Sequence, residues 1–261
     1  MLAKHRWLTF LLPIAVFMLL TGIEPKPQPA NPADSFIAEE LTADEIAEFS
    51  QWPSIPYAYY PWVYCAKVIL TLAAVWFVLP GYRQFAWKLA PLALMVGVVG
   101  GVIWIALCRL DIEHAYLQPA LEQVHLGWLI GAGARSAYNP FEQIAARPAA
   151  WAFLGVRFFG LVLLVPVIEE FFLRGFLMRF VMQPDWWAVP FGRVSALAVV
   201  AGTAVPMLMH PAELLAAAVW FTLITWLMVK TRNIWDCVAA HAITNLLLGI
   251  YVVAAGRWQL M

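Results

Sequence analysis

Charge is scarce in this 261-residue chain: 12% of residues are Asp, Glu, Lys or Arg, and sixteen basic residues balance sixteen acidic ones. No basic block is present that would neutralise a row of phosphates, which excludes nucleic acid as a partner. Cysteine is equally sparse. Cys65, Cys108 and Cys237 are an odd number without C-x-x-C spacing, so neither a disulfide framework nor a thiolate metal site is indicated. Each lies in or beside an apolar segment and reads as a small packing residue. There is no H-E-x-x-H pair for a metalloprotease helix. Internal repeats are lacking too, which weighs against a carrier built from two symmetric halves.

What the chain has in excess is apolar surface. Its hydrophobic share is 63%, with 14 Trp and 16 Phe, against roughly 45 to 50% in soluble domains. The fold class expected is all-α, a polytopic membrane helix bundle. At about 20 apolar residues per span, seven candidates stand out, near 7–23, 61–80, 88–108, 151–179, 191–210, 213–229 and 234–254. The first resembles a signal peptide in outline, but "TGIEPKPQPANPADS" offers no clear A-x-A site, so an uncleaved anchor is expected. Three regions follow: 1–60, an anchor and a Pro-rich acidic periplasmic linker in which "LTADEIAEF" suits a short surface helix; 61–150, two spans and a long interfacial connector; and 151–261, the core. Lys4, Arg6, Arg83, Lys88, Arg179, Arg193, Lys230 and Arg232 fall on one side, so the N-terminus is expected in the cytoplasm and the C-terminus outside.

Within the fourth span, "VIEEFFLRGFLMR" places Glu169, Glu170 and Arg174 where lipid would be expected. A charge at the bilayer centre costs roughly 2.5 to 3.5 kcal/mol on insertion scales, so such residues face a protein interior or a wet cavity and mark function by default. Glu170 and Arg174 share a helix face and suit an ion pair. Glu169 lies about 100° round. His210 ends the fifth span in "PMLMHP", and "AAHAITNLLLG" puts His241 and Asn245 on one face of the seventh. A Glu held away from bulk water suits general-base work on a water molecule. A His beside it would share that water or protonate a leaving amine, and imidazole with an amide N–H suits a tetrahedral oxyanion. These parts fit peptide hydrolysis.

The same residues resemble a known family. "EEFFLR" is similar to the E-E-x-x-x-R motif of the CPBP intramembrane endopeptidases, which include the type II CAAX prenyl proteases, and "HAITN" to their H-x-x-x-N motif. The middle F-x-x-x-H motif is met at His210 alone, since Pro206 stands in the Phe position. The likeness covers about 150–255 and implies a CAAX-protease-like core. It implies that Glu169 activates water with His210, that His241 and Asn245 form the oxyanion site, and that Glu170 with Arg174 orders the helix. The stretch from Thr231 to Leu260 further resembles the branch found with exosortase and PEP-CTERM systems of Gram-negative bacteria. That resemblance implies an inner-membrane location, a membrane-anchored protein or peptide substrate and an exosortase-type sorting partner.

Several alternatives stand beside this reading. Glu169, His210 and His241 would make a Zn²⁺ ligand set if the chemistry were metal-dependent, but Asn245 suits an oxyanion better than a metal, so no cofactor is required. The carboxylates and Arg174 would also serve as a structural ion-pair network. The chain would then be a catalytically silent scaffold or immunity-type binding protein. His114 and His125 read as surface residues, Arg157 has no assigned role, and Trp151, Trp186 and Trp187 suit interfacial belts. Helix rise puts Glu169 and His241 at roughly 10 to 15 Å depth but His210 nearer 25 Å. A tilt, a late helix start or a kink at Pro206 has to close that gap.

Overall fold

The computed structural model describes residues 6–25, 55–127, 137–210 and 212–261. The expected surface helix in "LTADEIAEF" and most of the Pro-rich linker lie outside these residues. Among the described residues there is no strand, and the chain is an all-α membrane helix bundle. Its principal helices are α1 (Leu8–Gly22), α2 (Tyr60–Tyr82), α3 (Pro91–Leu110), α4 (Arg147–Phe180), α5 (Ala196–Met209), α6 (Leu214–Thr231) and α7 (Ile234–Ala255). Five of these are long and apolar enough to cross a bilayer, whereas α1 and α5, with 15 and 14 residues, are shorter. The late start of α5, at Ala196 instead of near 191, reduces the depth discrepancy, and Pro206 lies within its body.

The outer surface is apolar, as lipid contact requires. Trp62, Trp76 and Val102 are largely exposed, while the faces turned inward hold Val78, Ile168, Leu173 and Ile224. Trp151 and Trp187 are exposed in keeping with interfacial belts, but Trp186 is buried against Phe10 and Phe176. Small residues bring the central pair together. On α3, a Cβ at Gly97 would come within 2.7 Å of the Ala240 carbonyl, and one at Gly100 within 2.7 Å of Trp220 Nε1. Glycine there lets α3 and α7 approach closely, the usual device where lipid supplies no hydrophobic drive between helices.

Polar side chains tie the helix ends. Ser195 caps α5 through the Ala198 N–H, Asn233 caps α7 through the Trp235 N–H, and Asp236 accepts the Ala90 N–H at 2.7 Å where α3 begins. Beyond α3 the chain turns at Asp111, which has φ 49°, and continues through helical turns at Glu113–Leu117 and Gln118–Glu122. This returns Glu113 to the bundle. Its buried carboxylate accepts the N–H groups of Leu214, Leu215 and Ala216 at 2.9, 2.8 and 3.3 Å, closing the N-terminus of α6. His125 is exposed. The three cysteines are free, and Cys237 is buried.

Two further cations are drawn inward. Lys67, two turns into α2, is buried, pairs with Glu24 just past α1, and lies over the Phe17 and Tyr64 rings. Arg157 in α4 is buried as well, donating to the carbonyls of Tyr138 at 2.7 Å and Met261 at 3.0 Å. It therefore fastens α4 to the connector and to the chain end and does not snorkel outward.

Candidate active site

The long helix α4 is not uniform. Two wider π-helical stretches, Gly160–Leu164 and Phe171–Leu177, enclose one regular stretch, Val165–Glu170, that ends on the paired carboxylates. Such bulges shift the phase of the side chains that follow and recur at functional sites. Pro166 near the start of the regular stretch lacks an N–H to continue the ladder, and Gly160 leaves room for the Tyr64 hydroxyl, which would lie 2.7 Å from a Cβ there.

The result is that both carboxylates meet His241. Its Nδ1–H donates to Glu170 Oε1 at 2.9 Å, and its Nε2 lies 3.9 Å from Glu169 Oε2. Glu170 is shared, for its other oxygen is 3.2 Å from Arg174, whose second terminal nitrogen donates to the Phe221 carbonyl at 3.2 Å. All four side chains are buried, Glu170 and Arg174 completely. The ion pair expected on one helix face is present, and it extends through Glu170 to the seventh helix.

Beside His241 lies a cavity of about 60 Å³, whose lining includes His210, Trp220, Thr244 and Asn245. That is space for a small cluster of waters. His210 stands just after α5, where the helix tightens: the His210 N–H bonds back to the Met207 carbonyl, and the Pro206 carbonyl instead accepts His210 Nδ1–H at 2.8 Å. This bond fixes the imidazole with Nε2 as its acceptor nitrogen. Asn245 donates one amide hydrogen to the Leu161 carbonyl at 2.9 Å, which anchors it on the first π stretch of α4. Two helices, α4 and α7, and the residue that ends α5 thus bring Glu169, Glu170, Arg174, His210, His241 and Asn245 to one region.

Aromatic walls surround it. Trp220 packs on His241 with ring centroids 4.5 Å apart, and Trp104 and Phe221 pack on His210 at 5.8 and 5.5 Å. Trp220 is fixed by a relay in which its Nε1–H donates to Thr244 Oγ1 at 2.9 Å and that hydroxyl donates to the Gly97 carbonyl at 2.8 Å. Sequence reasoning did not single out Trp104, Trp220 or Thr244. For Thr244 a signal existed, since it lies one turn beyond His241 within "HAITN". Trp104 and Trp220 carry no signal that separates them from the other tryptophans.

Glu169, His210 and His241 are the residues that would hold a zinc ion if the chemistry were metal-dependent. No group of three or more His, Cys, Asp or Glu side chains suited to a metal gathers among the described residues. Nδ1 of each histidine is engaged, by Glu170 in one case and by the Pro206 carbonyl in the other, which orients both rings through the nitrogen that would not bear a ligand.

Residues 150–247 match the family model described as type II CAAX prenyl endopeptidase Rce1-like. The matched stretch contains all six site residues. The match supports the likeness to the CPBP endopeptidases and, with the apolar bundle, indicates a membrane peptidase. No curated protein and no solved structure gives a significant match to the chain.

Proposed function

We propose that the chain is an intramembrane endopeptidase that hydrolyses a peptide bond of a membrane-anchored protein or peptide. The observation that carries the reading is the His241 ring held between Glu170 and Glu169 next to a cavity that His210 and Asn245 also line. In this mechanism Glu169 takes a proton from a water while His210 Nε2 orients it, and the water oxygen bonds to the scissile carbonyl carbon. His241 Nε2–H and the second amide hydrogen of Asn245 donate to the oxyanion that forms. When the C–N bond breaks, the proton passes from Glu169 to the leaving amine. In this role His241 donates from both ring nitrogens, Nδ1 to Glu170 and Nε2 to the oxyanion. Arg174 keeps Glu170 in place, and the aromatic walls exclude bulk water.

The finer resemblance supports placing the protein in the inner membrane of a Gram-negative bacterium, within an exosortase-type PEP-CTERM sorting system, with its N-terminus in the cytoplasm and its C-terminus in the periplasm. Nothing in the site calls for a prenyl group on the substrate. Purified full-length protein in nanodiscs, incubated with membrane-anchored candidate peptides and followed by mass spectrometry, tests the activity. New peptide termini that disappear in Glu169→Gln are expected. Intact peptide bound tightly by both proteins would establish the silent scaffold instead.

A further inference from the structure

At the end of the bundle where α1 begins there is a second, larger cavity of 590 Å³, remote from the site above and independent of the peptidase reading. Its lining includes Arg6, Thr9, Gln84, Arg179, Trp186 and Trp187, and among the described residues it has two guanidinium groups and no carboxylate. The cations are set in place by two consecutive tryptophans. Arg6 lies over Trp187 at 5.1 Å and Arg179 over Trp186 at 5.4 Å, with the two indoles 5.9 Å apart and nearly perpendicular. Arg179 is locked further, since Nε and both terminal nitrogens donate to the carbonyls of Val189, Gly175 and Trp187 at 3.0 Å each. Those bonds use three of the five guanidinium N–H groups and leave two to donate.

The surroundings favour an anion. Arg6 lies just before the N-cap of α1 and Thr9 in its first turn, at the end where the helix dipole is positive. Thr9 and Gln84 add neutral donors. At the end of α2 the carbonyls of Leu79, Gly81 and Tyr82 are met by the N–H groups of Arg83, Gln84 and Phe85. The neighbouring surface is apolar: Trp7, Phe180 and Trp187 are about half exposed, and so is Phe77, one turn from Gly81 on the same face of α2. A pair of fixed arginines beside an exposed apolar face matches a ligand with a phosphate and a hydrocarbon tail.

We propose that this cavity binds the phosphate group of an anionic membrane lipid. The experiment uses the full chain in a neutral detergent, titrated with dioctanoyl phosphatidylglycerol, dioctanoyl phosphatidylcholine or inorganic phosphate, with thermal unfolding and native mass spectrometry as readouts. Phosphatidylglycerol should raise Tm saturably with one retained molecule, phosphatidylcholine should not, and phosphate at the same concentration should not reproduce the effect. Arg6→Gln and Gln84→Glu, neither of them in the proposed catalytic set, should each weaken the phosphatidylglycerol response about fivefold, the worth of one charge near an anionic surface. Equal responses to the two lipids, or undiminished binding in both variants, would overturn the proposal. A phosphate effect equal to that of phosphatidylglycerol would overturn the lipid assignment and leave a site for a soluble anion. Arg179 is left unaltered in this test because it also holds its loop.

Discussion

At the scale of single residues, the division of labour between two adjacent glutamates is the point the structure sharpens. Helical phase suggests that Glu169 and Glu170 diverge, with Glu170 consumed by Arg174. Glu170 does pair with Arg174, yet both carboxylates also approach the two nitrogens of one imidazole, in a helix that carries π bulges on either side of them. No pattern of residue types announces such bulges, so this part of the site was not legible in the sequence. The residue types were legible, since buried charge is costly enough to stand out in an apolar chain. Glu169→Gln, His210→Ala and His241→Ala should each lower peptidase activity by orders of magnitude while the protein still accumulates in the membrane, as expected of members of one cooperating set. Equal loss of folded protein in all three would mean that the network is structural. Arg174→Ala should differ, because it leaves Glu170 buried without its guanidinium, a defect of roughly 3 to 5 kcal/mol. Accumulation and activity should fall together, and a fully stable, inactive variant would contradict the ion pair. If Glu169 and His210 act on water directly, activity should survive exhaustive chelation. Loss on chelation with recovery on adding zinc would overturn the water-activation scheme.

At the scale of elements, periodicity and apolar length located the helices well, and their ends less well. The fifth span starts later than expected because the run before Ala196 contains Pro190 and Gly192. Gly192, at φ 86°, packs against Arg232 in a conformation that side-chain-bearing residues rarely adopt. What sequence patterns do not disclose is pairing between distant elements. Glu113 lies in a connector with no marked motif, yet it accepts three N–H groups a hundred residues further along. A carboxylate at a helix N-terminus combines capping with the dipole interaction, each worth about 1 kcal/mol. Glu113→Ala should therefore lower Tm in detergent, and Glu113→Gln, which keeps an acceptor without the charge, should fall between it and the parent. Identical Tm values for all three would show that the N-terminus of α6 needs no carboxylate. A bulkier test addresses the α3–α7 contact. Gly100→Val should push on Trp220 and loosen the wall behind His241, reducing activity more than it reduces accumulation.

At the scale of the whole molecule, the structure determines which loops share an end, and membrane charge rules suggest which side that end faces. Arg6 meets Trp187, Asn233 donates to the Lys88 carbonyl at 2.7 Å, and Gly192 packs on Arg232, so the start of α1 and the α2–α3, α4–α5 and α6–α7 turns lie together. At the opposite end Arg157 joins Tyr138 to Met261, and Glu113 meets the start of α6. The first end carries Arg6, Arg83, Lys88, Arg179, Arg193, Lys230 and Arg232 on its turns, and the second carries Arg109, Arg147 and Arg257. Lysine and arginine in short turns are retained in the cytoplasm, so the first end is expected inside. Burial of Lys67 and Arg157 within the bundle removes them from that comparison. A reporter active only outside the cytoplasm should be active when fused after Ser50 or Met261 and inactive after Gln84 or Arg232. Reversal at all four positions would invert the molecule while preserving its fold. A mixed result, such as activity after both Gln84 and Met261, would contradict the arrangement itself, because the structure places the α2–α3 turn and Met261 at opposite ends of the bundle.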